Sequence, residues 1–151
     1  MQYDHQADPS VVFVTYSQNE DEPGGYYDPG TPDRLYINTE NNLLESEQIY
    51  WHEDKHRQCH ASKCFCFNKK TDYWAEYHAF RYEFEKMIAC PSDALRRSYA
   101  GAISRSVKKY IAYEKLYPTH LKALRKLFKT AAFRKFACEY KITRTVNRVI
   151  G

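Results

Sequence analysis

Apolar residues recur at steps of three and four through most of the second half of the chain. They run together or alternate only near its start. Over 72–89, Tyr73, Tyr77, Phe80, Phe84, Met87 and Ile88 fall on one stripe of a 3.6-residue helix. Thr71 stands where a capping hydroxyl accepts a free amide of the first turn, and Asp72 suits the positive helix end. Pro91 stops this helix, and Ser92-Asp93 opens another. Leu95, Tyr99, Ile103, Val107, Tyr110, Tyr113 and Tyr117 carry that third helix to about residue 117. Pro118 ends it, and Thr119 is placed to cap a fourth. There Leu121, Leu124, Leu127, Phe128 and Ala131 form the apolar side, opposite a ridge of Lys122, Arg125, Lys126 and Lys129. Phe133, Phe136 and Tyr140 fall on the ridge side if the helix continues. This calls for a break near Thr130, burial all round, or a partner. Ile142, Val146, Val149 and Ile150 keep helical spacing in the tail.

Toward the N-terminus the period changes. Val11 to Tyr16 is β-branched and aromatic and reads as a strand, as does Arg34 to Asn38. Between them, residues 17–33 carry five acids and the turn groups Pro23-Gly24-Gly25, Asp28-Pro29-Gly30 and Thr31-Pro32-Asp33, which read as a long loop. Over 41–60 the stripe of Leu43, Leu44, Ile49, Tyr50 and Trp51 is ragged, and a helix there is weakly specified. The expected fold class is mainly α: a small bundle of three to five helices with a short N-terminal β-ribbon and a long acidic loop. Residues 1–40 would form the ribbon and loop, and 41–151 a helical domain with a basic C-terminal half.

Length and composition agree. A chain of 151 residues, 43% hydrophobic and 28% charged, is globular and about one domain long. No apolar run approaches the roughly 20 residues of a membrane-spanning helix. The first residues show neither a basic start nor an apolar stretch. Five cysteines at irregular spacing fit free thiols in a reducing intracellular compartment, cytoplasm or nucleus.

Charge changes the picture more. The net +4 hides a gradient. Residues 1–50 hold ten acids and one base, whereas 101–151 hold thirteen bases and two acids. Such polarity points to a surface that seeks phosphate or an acidic protein face. Lys108, Lys109, Lys122, Arg125, Lys126 and Lys129 are the candidate phosphate contacts. Phe133, Phe136 and Tyr140 are the candidates to stack beside them.

One cluster offers metal chemistry. His52, His56, Cys59, His60, Cys64 and Cys66 lie within fifteen positions. On a helix the histidines share a face. Cys64 and Cys66 flank Phe65 and point the same way in an extended segment. His52, His56, Cys64 and Cys66 would complete the four ligands of a structural zinc site, so zinc is the candidate cofactor. Residues 52–56, His-Glu-Asp-Lys-His, also resemble the His-Glu-x-x-His helix of zinc metallopeptidases. The resemblance implies His52 and His56 as ligands, Glu53 as general base, and His60 or Glu76 as third ligand. It covers five residues, and it departs from the family in placing Asp54, Lys55 and Arg57 on a helix that family buries.

The chain has no glycine-rich phosphate loop and no nucleophile elbow. The expected function is therefore non-enzymatic: a binding or structural subunit whose basic helical surface contacts nucleic acid or acidic protein, with no membrane partner. The alternative is homo-oligomeric assembly, in which the acidic 17–33 stretch of one copy meets the basic ridge of another. A zinc-dependent hydrolase is the third reading.

Overall fold

The computed structural model describes residues 3–15, 24–63 and 73–151. It is mainly helical, with a small three-stranded sheet. Seven helices occur among the described residues, against the three to five expected. The chain divides into two compact units, Met1–Lys69 and Lys70–Gly151. The division falls well beyond residue 40, because the helix that follows the sheet packs with it.

In the first unit, β1 (Val11–Val14), β2 (Gly25–Asp28) and β3 (Arg34–Asn38) form a sheet in the order β1-β3-β2. β1 runs parallel to β3 with Val11 opposite Leu35, and β2 runs antiparallel with Tyr26 opposite Tyr36. The expected two-stranded ribbon gains a third strand from the stretch read as loop. Residues 17–23 of that stretch, and Tyr16 at the end of the first expected strand, lie outside the described residues. On the central strand Leu35 and Ile37 point to one face and are fully buried, as period-two alternation requires. On the other, Tyr36 stacks on Tyr26 at 4.6 Å.

Two helices complete this unit. α2 (Leu43–Ala61) lies on the sheet. Its N-cap Asn42 accepts the Glu45 amide at 2.8 Å. The approach is close at Gly25: a Cβ there would stand 2.5 Å from both the Ile49 side chain and the Tyr36 carbonyl. The short α1 (Asp4–Ala7) is tied to α2 by Trp51 Nε1 donating to Asp4 and by the amides of Asp4 and His5 donating to Glu47. The ragged stripe has its reason here. The buried side of α2 carries Ser46, Glu47, Gln48 and His52 as well as Tyr50 and Trp51.

The second unit is five helices: α3 (Tyr73–Ile88), α4 (Asp93–Ala112), α5 (Pro118–Phe128), α6 (Ala131–Glu139) and α7 (Thr143–Ile150). Thr71 and Asp72 lie outside the described residues. Ser92 caps α4 as expected, accepting from the Leu95 amide. α4 ends five residues earlier than expected, with Tyr113 as its C-cap. Pro118 is the first residue of α5, where its missing N–H costs nothing, so Thr119 is not the cap. The break near Thr130 is real: its hydroxyl accepts the Phe133 amide and donates to the Leu127 carbonyl at 2.7 Å. α6 closes in a Schellman turn. Ile142 N–H reaches the Ala137 carbonyl at 2.9 Å, with Lys141 at φ 60°.

That break re-aims the aromatics. Phe133, Phe136 and Tyr140 are at most 5% exposed and join Phe84 and Phe128 in one ring cluster. Centroids of Phe128 and Phe133 are 4.3 Å apart and nearly parallel. These rings hold the helices together and are closed to a nucleic-acid base. The expectation that they stack on a partner is corrected.

Candidate functional site

α5 is amphipathic, and its two sides separate cleanly. Leu121, Leu124, Leu127 and Phe128 are buried, while Lys122, Arg125 and Lys129 are exposed and Lys126 is half-buried. α6, α7 and the turn between them add Arg134, Lys135, Lys141, Arg144 and Arg148, all exposed. From residue 118 onward there are nine Lys and Arg and one acid, Glu139. None of these nine forms an ion pair among the described residues. On α4, Lys108 is exposed and Lys109 half-exposed.

Two ridge cations rest on aromatic rings of α3. Lys126 Nζ stands 3.6 Å from the Trp74 centroid and 4.7 Å from that of Tyr77, and Lys122 Nζ stands 4.7 Å from Tyr73. A ring face attracts the cation without neutralising it, so the charge is positioned and kept. Arg125 donates Nε to the Val149 carbonyl at 3.0 Å, which leaves its other N–H groups for an anion. The aromatic residues beside the ridge are thus Tyr73 and Trp74, both half-buried, and not the three of α6. The step of four from Tyr73 to Tyr77 on α3 is the sequence signal for these rings, and apolar periodicity alone assigns it to the helix stripe.

His52 and His56 lie one turn apart on α2, with ring centroids 5.0 Å apart at 78°. A pair at this spacing offers two imidazoles to a metal ion. Cys64 and Cys66 lie outside the described residues. His60 is exposed and sits 3.4 Å from the Tyr27 hydroxyl, and Glu76 Oε2 lies 3.3 Å from His120 Nε2 within the second unit. The charges that set this helix apart from the peptidase pattern have partners nearby. Arg57 reaches Asp54 at 2.6 Å and Asp8 at 2.7 Å, and Asp54 also accepts from Gln58. Burial acts to raise the Asp8 pKa. The hydrogen bonds from Ser10, Arg57 and Tyr50 outweigh it and hold the carboxyl well below the usual range. Burial, reinforced by the bond to Asp8, pushes the Tyr50 hydroxyl well above its ordinary value.

A third polar site escapes sequence reasoning altogether. Glu47, 3% exposed, accepts the Asp4 amide at 2.7 Å, the His5 amide at 3.0 Å and His5 Nδ1 at 3.2 Å. His5 borders a cavity of about 370 Å³ lined also by Gln6, Phe13, Thr39, Asn41, Leu43 and Ser46. His5 and Glu47 are separated by 42 positions, so no local spacing announces them.

Fold and sites define a mainly helical chain of two units, one with buried polar side chains against a small sheet and one with an open cationic helical face. Comparison with protein families, curated proteins and solved structures finds no match to it. No helix among the described residues is long and apolar enough to cross a membrane.

Proposed function

We propose that this protein works by binding a polyanion, nucleic acid foremost, through the cationic face of its C-terminal helices. One observation carries the reading: nine Lys and Arg against a single acid from residue 118 onward, with none of the nine in an ion pair among the described residues. Folding leaves these charges in water, where their mutual repulsion opposes the compact state. A phosphate backbone relieves it and releases counterions. Tyr73 and Trp74 beside Lys122 and Lys126 supply rings next to the charges, the combination that single-strand binders use. No residue pattern reads base edges, so the binding is sequence-tolerant. Anisotropy of labelled single- and double-stranded oligonucleotides is the test. Affinity should fall steeply with salt, and reversal of Lys122, Arg125 and Lys126 to Glu should abolish most of it. Binding that ignores salt, or survives the triple reversal, defeats the reading. An acidic protein partner is favoured instead if neither oligonucleotide binds.

The histidine pair supports a second reading, a zinc ion held by His52 and His56 with Cys64 and Cys66. Zinc titrated into chelator-stripped protein should bind one to one and raise the melting temperature. His52→Ala should weaken binding at least about tenfold. Equal zinc affinity in the variant would remove this pair from the ligand set.

A further inference from the structure

Three rings of α3 hold the ammonium of Lys126. Its Nζ stands 3.6 Å from the centroid of Trp74, 4.7 Å from that of Tyr77 and 5.8 Å from that of Tyr73. Helical spacing sets the pattern. Tyr73 and Tyr77 lie one turn apart on α3, Lys122 and Lys126 lie one turn apart on α5, and the two helices are neighbours. Tyr73 meets the indole at 60° and Tyr77 meets it at 85°, so neither is stacked on it. The face of Trp74 under Lys126 is thus taken by a cation and not by another ring.

Two kinds of group compete for such a face. An ammonium is attracted by the ring quadrupole, and a nucleobase stacks on it whatever its identity, because every base has a π-face. A phosphate oxygen offers the ammonium a charge-assisted hydrogen bond, which is the stronger contact. Resting on the polyanion reading above, we propose that the ligand is single-stranded nucleic acid and that one of its bases replaces Lys126 on Trp74 while the lysine moves to a neighbouring phosphate. One nucleotide then supplies both halves of the exchange: the charge that draws Lys126 away and the ring that covers the indole it leaves. Lys122, over Tyr73, remains beside the same slot for the next phosphate. A duplex keeps its bases in its own stack, so it engages the cations alone.

A single-stranded oligonucleotide and an abasic strand of equal length separate base from phosphate, because the second carries the same charges and no rings. In anisotropy titrations of the full chain, the base-bearing strand should bind about tenfold more tightly, within the range that one stacked base contributes. Trp74→Leu keeps an apolar side chain and removes the ring, and it should bring that ratio close to one. Trp74→Tyr should restore part of it. A variant that merely loosens the fold weakens both strands alike and leaves the ratio where it was. Should Trp74→Leu fail to fold, Lys126→Ala removes the competitor on α5 and should raise the ratio, since the base no longer has a cation to displace. Equal affinities for the two strands in the wild type, a ratio unchanged in Trp74→Leu, or a ratio lowered in Lys126→Ala overturns the exchange while leaving polyanion binding in place. Failure of both strands to bind removes the polyanion reading and the exchange with it.

Discussion

Arg57 shows how much one side chain organises in the first unit. Its guanidinium bridges Asp8, Ser10 and Asp54, and Tyr50 donates to the same Asp8. The two carboxylates and the guanidinium are each less than a quarter exposed, so the pairing is only partly screened. The folded pKa of Asp8 lies below its unfolded value. Its ionised form therefore stabilises the fold above the unfolded pKa near 3.9, and that contribution is lost as pH falls through the folded pKa. Asp8→Asn should cost about 1.5–3 kcal/mol at neutral pH, the range for hydrogen bonds to charged groups. The variant's stability should also fall less steeply than the wild type's below about pH 4. Urea unfolding followed at Trp51, in a Trp74→Phe background, measures both. An unchanged acid limb would mean that Asp8 is not the titrating group. None of this network was legible in the sequence, since Asp8 and Arg57 are 49 positions apart and unlike charges at that range follow no pattern.

Element by element, legibility followed local chemistry. Helices α3, α4, α5 and α7 announced themselves by apolar period and by punctuation at Pro91, Ser92 and Pro118, whereas α6 stood only as one of three ways to place Phe133, Phe136 and Tyr140. β2 did not, because Tyr26-Tyr27 is wedged between turn residues and becomes a strand only by pairing with β3, a distant choice. α2 was blurred for another reason: its buried side is partly polar, and apolar periodicity cannot register a buried Glu47. The basic ridge was legible and the aromatic assignment was not, and both turn on the break between α5 and α6. Thr130→Ala removes the cap of α6 and should cost about 1 kcal/mol. That is a fall of roughly 4–8 °C in melting temperature for a unit of this size. Lys141→Gly should act in the opposite sense, by about 1 kcal/mol, because glycine adopts the left-handed turn conformation without the Cβ clash that Lys141 bears. Calorimetry on the full chain should show both changes in the same transition. Equal and opposite shifts would establish that the α5–α6–α7 turns, more than the helices between them, set the stability of this face.

At the scale of the molecule, charge is the feature that sequence and structure describe in the same terms. Ten acids and one base precede residue 51, and thirteen bases with two acids follow residue 100. A binding face of this kind is measured by how salt weakens it, with each phosphate neutralised on duplex DNA adding about −0.9 to the slope of log K against log salt. Reversing Lys122, Arg125 and Lys126 should therefore flatten the slope by about 3 if each contacts one phosphate. Trp74 should report the same event, because it lies against Lys126. Its fluorescence should change on oligonucleotide binding in the wild type and not in the triple variant. The acidic stretch supplies the counter-test, and it discriminates between binding and assembly. Neutralising Glu20, Asp21 and Glu22 to Gln, Asn and Gln leaves chain length and β2 unaltered. If these acids compete with phosphate for the ridge, oligonucleotide affinity rises, most at low salt where screening is weakest. If they instead join one copy to the next, sedimentation shows oligomers dissociating while affinity per chain stays constant. An affinity and a mass that both stay fixed would separate the two ends of the charge gradient altogether. The cationic face would then be a binding surface with no internal competitor.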